Sequence, residues 1–181
     1  MRILKCIIIA AVTALAVLAA VVLLWLHGAF IPTYAQWEEK TFYADADNDG
    51  EDESVKLSAR RLAIKDEDHS FKTEYGLKIQ DVYVRDIDRD GANEVIVLVW
   101  KRGSYGDHKP FWVEEDDWNF SQHIFIYKYA DERLNGVWMS SDIGRPVRYM
   151  RMDEEDHIHL YEKDGKETVW MWGSWGLVLI E

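Results

Sequence analysis

A single cysteine, Cys6, stands among the 181 residues, so no disulfide can form within the chain. Core packing, bound ions or a partner must hold the fold instead. Cationic side chains are scarce too. Beyond residue 26 there are 19 Lys and Arg against 33 Asp and Glu, a net of −14. Phosphate contacts need clustered cations, which excludes a nucleic-acid partner. The chain also lacks a G-x-S-x-G elbow, a phosphate-cradling Gly-rich loop and an H-E-x-x-H pair. Nothing therefore marks a nucleophile, a nucleotide site or a metalloprotease, and an enzyme is not expected. After residue 36 no helical period of useful length occurs.

What is present begins with Ile7–Leu26, twenty residues without a charge and with Thr13 as the only polar interruption. At about 1.5 Å per residue this run reaches roughly 30 Å, the thickness of a bilayer's hydrocarbon core. Arg2 and Lys5 precede it, and no Lys or Arg follows until Lys40. That asymmetry predicts a single-pass signal anchor with a cytoplasmic N-terminus and an extracytoplasmic domain. A cleaved signal peptide is the rival, with a weak site at Thr33-Tyr34-Ala35, but its apolar core would be shorter. The expected division is 1–26 cytoplasmic stub and membrane helix, 27–36 tether, and 37–181 exported domain.

The exported part is patterned as short strands separated by Asp, Gly and Asn clusters. Expected strands are Thr41–Ala44, Val55–Leu62, Val82–Arg85, Val95–Trp100, His123–Tyr129, His157–Tyr161, Thr168–Trp172 and Leu177–Ile180. Strands this short at this spacing predict an all-β domain. Val95–Trp100 is apolar on both faces, so it should be a central strand covered on both sides.

Two segments repeat 41 residues apart, DADNDGEDE at 45–53 and DIDRDGANE at 86–94, each between strand-like runs. Three Asp at alternate positions can turn their carboxylates onto one hard cation, and Gly at position six allows the positive φ of a sharp turn. The candidate ligands are Asp45, Asp47, Asp49, Glu51 (by its carbonyl) and Glu53, then Asp86, Asp88, Asp90, Ala92 (by its carbonyl) and Glu94. Calcium suits six to eight oxygen donors. Magnesium wants a stricter octahedron, and no Cys or His in either loop favours a soft metal. The flanks are β-like and position twelve is Lys56 or Val97, so neither loop is an EF-hand. The second loop, with the more apolar flanking strand, is expected to be the stronger site.

Strand–DxDxDGxxE–strand resembles the FG-GAP/VCBS-type repeats of integrin α-subunit β-propellers, over about residues 40–100. The resemblance implies FG-GAP-like β-blades, with calcium fixing hairpins and taking no catalytic part. A closed propeller needs at least four blades, and 37–181 has room for about three. An incomplete or open propeller-like domain, or closure by self-association, is therefore expected. Asp153-Glu154-Glu155-Asp156 is a candidate decayed third loop without the Gly and the spacing.

The implied function is a membrane-anchored, calcium-binding domain for cell-surface interaction or adhesion, with a protein or glycan partner. The long irregular segment 101–119 is the expected recognition surface, through Tyr105, His108, Trp112 and Trp118. The alternative is an envelope enzyme acting on glycans with an Asp/Glu pair. His157 and His159 could hold zinc with Asp156 or Asp153, but an ordinary half-exposed strand is the preferred reading. Trp170, Trp172 and Trp175 are expected to fill the core, the first two on one face.

Overall fold

A computed structural model describes residues 2–66, 69–103 and 118–181. It divides into two compact units, Met1–Pro32 and Thr33–Glu181. The first holds one helix, α1 (Arg2–Leu26), with no buried residue. It is long and apolar enough to cross a membrane, or to serve as a signal sequence.

The second unit is mostly β. Among the described residues there are twelve strands: β1 (Lys40–Ala44), β2 (Glu53–Ser58), β3 (Arg61–Lys65), β4 (Ser70–Lys72), β5 (Lys78–Arg85), β6 (Glu94–Lys101), β7 (Ser121–Ala130), β8 (Arg133–Met139), β9 (Val147–Met152), β10 (Ile158–Glu162), β11 (Glu167–Trp172) and β12 (Leu177–Leu179). They form three four-stranded antiparallel sheets, each a meander in chain order: β1–β4, β5–β8 and β9–β12.

The period-two side-chain alternation of strands builds two cores. One core joins the first two sheets, with Val55, Leu57, Leu62 and Ile64 meeting Val82, Val95, Val97 and Val99. The other joins the second and third sheets, with Ile96, Leu98, Ile124 and Ile126 meeting Val147, Met150, Ile158 and Leu160. Alternate residues of β6 thus enter opposite cores, which is why both of its faces had to be apolar. Burying each such side chain contributes roughly 1.5–3 kcal/mol.

Four strands lie outside the expected set. Val55–Leu62 is two strands, because Ala59 and Arg60 both take positive φ (49° and 62°) and turn the chain in a two-residue hairpin. Asp131 and Glu132 (52° and 58°) do the same between β7 and β8. Such turns favour Asn and Gly, so Ala-Arg and Asp-Glu carried no turn signal. β4 is only three residues long. β8 is largely exposed, and β9 alternates Arg with its core residues, so neither shows an apolar run.

Trp170 and Trp172 pack partly buried on the second core. Trp175 does not join them and is 82% exposed. It sits at a hairpin tip closed by Gly173 N donating to Gly176 O (2.7 Å), which points away from the core.

Gln80 of β5 is bonded to β9 and to the segment that precedes β1. A bulge between Ile79 and Asp81 turns this residue out of the β5 register and into the interior, where it is fully buried. Its Nε2 donates to Arg148 O of β9 (2.7 Å). Its Oε1 accepts from Trp100 Nε1 (2.7 Å) and Gln122 Nε2 (2.8 Å). Its backbone O accepts from Glu38 N (3.0 Å), and Gln36 N donates to Arg148 O (2.8 Å).

Candidate metal centre

Both acidic loops connect the first and second strands of their sheets, β1 to β2 and β5 to β6. They fold alike, with the same hydrogen bonds through positions one to seven. The position-one carboxylate accepts from the N–H groups of positions five and six: Asp49 and Gly50 onto Asp45 (both 3.1 Å), Asp90 and Gly91 onto Asp86 (both 3.0 Å). Position three accepts from the same position-five N–H (Asp47, 3.2 Å; Asp88, 3.1 Å), and position five accepts from position seven, Glu51 N or Ala92 N (2.9 Å each). Position four takes positive φ, Asn48 at 67° and Arg89 at 60°, and position six is Gly50 (95°) or Gly91 (93°). A non-glycine residue at position six would pay the left-handed strain.

The closing glutamates are buried. Glu53 Oε2 accepts from Ala46 N (2.6 Å) and Asp47 N (3.3 Å). Glu94 Oε2 accepts from Ile87 N (3.2 Å), while its buried Oε1 has no hydrogen-bond partner. Burial, then the hydrogen bonds opposing it and the charges of Asp47 and Asp45, leave Glu53 raised. Burial, reinforced by Asp88, pushes Glu94 up to about 7.

Each loop gathers three carboxylates that could hold a metal ion, with one oxygen from each within 4.8 Å of the others. These are Asp45, Asp47 and Glu53 in the first loop, and Asp86, Asp88 and Asp90 in the second. Two carboxylates at that distance repel by about 3 kcal/mol at the effective dielectric of a protein surface. A divalent cation would remove that repulsion and satisfy the buried glutamate oxygen. Hard oxygen donors, with no His or thiolate among them, fit calcium-type chemistry.

The turns are linked side by side. Asn48 Nδ2 donates to Asn93 O (3.2 Å), Asn93 N donates back to Asn48 Oδ1, and Asn93 Nδ2 donates to Asp45 O (2.8 Å). From position four of the second loop, Arg89 Nη2 donates to Glu155 O (3.2 Å) in the β9–β10 turn. That third turn repeats the head of the loop. Asp153 follows β9 as Asp45 follows β1, the His157 N–H donates to its Oδ1 (2.8 Å), and Asp156 takes positive φ (63°). The loop then ends early. In place of further carboxylates, His157 Nδ1 (3.1 Å) and His159 Nε2 (3.2 Å) face Asp153 Oδ2, and His159 Nδ1 meets Glu167 Oε1 at 2.6 Å.

This cluster is set to be pH-sensitive. Desolvation pushes the His159 ring down, but hydrogen bonds to Glu167 and Asp153 outweigh it and leave the ring raised. Desolvation pushes Asp153 up, yet bonds from His157 N, the His159 ring and Glu155 N hold it at about 2. A raised imidazole stabilises the fold fully below its ordinary value of about 6.5, and the contribution fades as pH rises through the folded value. His159→Gln should therefore lower the melting temperature at pH 5.5 and lower it less at pH 8.5. An equal deficit at both would show that proton uptake plays no part.

Of the expected recognition residues, Trp118 is exposed. Tyr105, His108 and Trp112 lie outside the described residues. An open cleft of about 520 Å³ is lined by Glu38, Lys40, Asp81, Tyr83, Tyr149 and Arg151, among others. Buried Asp81 is paired there with Lys40 at 2.6 Å, and Lys40 lies 4.0 Å from the centre of the Tyr83 ring. Asp81, Gln80 and the cleft carried no sequence signal, because three distant strands assemble them. No family model, curated protein or solved structure matches the chain.

Proposed function

We propose that the chain is a membrane-anchored, calcium-stabilised domain of FG-GAP/VCBS-type blades that presents an interaction surface outside the cytoplasm. The observation that carries this reading is the shared frame of the two acidic loops, which agree in hydrogen bonds and backbone signs at a 41-residue step. In this reading each four-stranded sheet is one blade and the first strands line the axis around Gln80. Asp45, Asp47 and Glu53 would hold one calcium ion, and Asp86, Asp88, Asp90 and Glu94 a second. Bound calcium would supply charge and coordination alone, with no chemical step. The chain's own part is to tie adjacent hairpins, and through Asn48 and Asn93 to make the two loops one rigid rim. Helix α1 is the anchor, and Arg2 and Lys5 favour a cytoplasmic N-terminus. Three blades leave open edges that self-association would cover. A protein or glycan is the expected partner, with Trp118 on the approach.

A glycan-active enzyme is the second reading, supported by Glu38 and Asp81 in one cleft. It is the weaker reading, because Asp81 is already committed to Lys40 and to the Val82 N–H.

Thermal unfolding of the full chain in detergent micelles tests the calcium reading. Extracellular calcium modules have dissociation constants of about 10⁻⁴–10⁻³ M. At about 1 mM calcium each such site adds roughly 0.4–1.4 kcal/mol. A rise of several degrees over EDTA is expected, and a smaller rise in magnesium. Identical melting in all three solutions would remove the reading.

A further inference from the structure

The two loops share a backbone but differ in what stands beside them. In the first sheet Ser54 pairs with Lys65, so the next residue, Asp66, lies toward Glu53. In the second sheet the equivalent Val95 pairs with Tyr127, so the next residue, Lys128, lies toward Glu94. An acid beside one loop is thus replaced by a cation beside the other. Lys128 Nζ lies 2.7 Å from Asp90 Oδ2 and 3.6 Å from Glu94 Oε1. That glutamate oxygen is the buried one without a hydrogen bond. The compact carboxylate groups differ to match: the first includes its glutamate, whereas the second holds Asp86, Asp88 and Asp90 without Glu94.

We propose that Lys128 is a tethered cation that competes with calcium for the second loop, so that the first loop is the high-affinity site. This rests on the reading of both loops as calcium sites and reverses the ranking expected from the flanking strands. The ammonium neutralises one of four carboxylates and holds Asp90 and Glu94, two of the oxygen donors calcium would need. It cannot replace the ion's coordination, because it offers one charge and three donors on a flexible stem. Calcium must displace it, and the Lys128 side chain, 39% exposed, has solvent to swing into. The second loop would then fill only at higher calcium, giving the domain two ranges of response. The first loop has a more acidic setting, with Glu51, Asp52 and Asp66 beside it against Lys65 and His69, and His69 is taken up by Asp66 at 3.3 Å.

Calcium titration of the full chain in micelles by calorimetry tests this. The wild type should show two sites differing at least tenfold in dissociation constant. Lys128→Met, with Lys128→Gln as a second variant, should tighten the weaker site about tenfold and leave the stronger one unchanged. Adding Asp45→Ala to Lys128→Met should then leave one tight site, placing it in the second loop. Wild-type binding that neither Lys128 variant alters would overturn the competition while sparing the calcium reading. No binding by the wild type or by either variant would overturn both.

Discussion

Gln80→Ala should cost about 3 kcal/mol or more and lower the melting temperature by roughly 6–12 °C. The residue is fully buried, and its amide joins the second sheet to the third, through Trp100 Nε1 and Gln122 Nε2 on one side and Arg148 O on the other. Truncation leaves the buried Trp100 N–H without its partner, at about 1–3 kcal/mol, while the Arg148 carbonyl keeps the Gln36 N–H but loses its second donor. It also opens a small cavity at the bulge. For a domain of about 150 residues, 1 kcal/mol corresponds to about 2–4 °C. Denaturant unfolding gives the free energy directly. A loss below about 1 kcal/mol would mean that water or a neighbour replaces the amide, and that the sheets do not depend on this hub. The wider consequence is that the second and third sheets should unfold together, since this side chain ties β5 to β9.

Asp45→Ala should cost about 1 kcal/mol in EDTA and about 2 kcal/mol in 1 mM calcium. Its carboxylate accepts the Asp49 and Gly50 N–H groups, so the head of the loop loses two hydrogen bonds whether or not an ion is bound. These bonds are exposed, and water recovers much of their energy, which keeps the ion-free cost small. The calcium-dependent part is the linkage free energy of that site, which vanishes with the ligand. Asp45→Asn separates the two contributions. Its amide oxygen can accept one of the two backbone N–H groups, which go to different carboxylate oxygens, so stability in EDTA should recover in part while the calcium response stays lost. Equal behaviour of Asp45→Asn and wild type in calcium would show that the charge at position one is not a ligand. The loop would then be a hydrogen-bonded turn that happens to be acidic.

Much of the local plan can be read directly from the residues. The all-β class follows from short alternating runs, and the two-sided burial of β6 from its unbroken apolar sequence. The loop conformation follows from its residues as well. Asp at alternate positions caps the turn's N–H groups, and Gly50 and Gly91 accept the positive φ. The apolar stretch Ile7–Leu26 dictates a helix long enough to span a bilayer. All of these are determined within a dozen or so neighbouring residues, so periodicity and spacing suffice.

What the tertiary structure decided lies between segments far apart in the chain. Ala59-Arg60 and Asp131-Glu132 turn because the paired strands force them, against their own preferences. Gln80 looks like any polar strand residue until a bulge sends it inward among side chains from β6 and β7 and a backbone carbonyl of β9. Trp175 looks like its neighbours Trp170 and Trp172, yet a hairpin tip exposes it. The two loops read as near-equals, with the second favoured, until β7 brings Lys128 to Asp90 across 38 residues. Local sequence sets the shape of each loop, but its net charge and free donors depend on the strand packed beside it. Electrostatic interactions act through space, and only the folded chain determines which distant charge arrives.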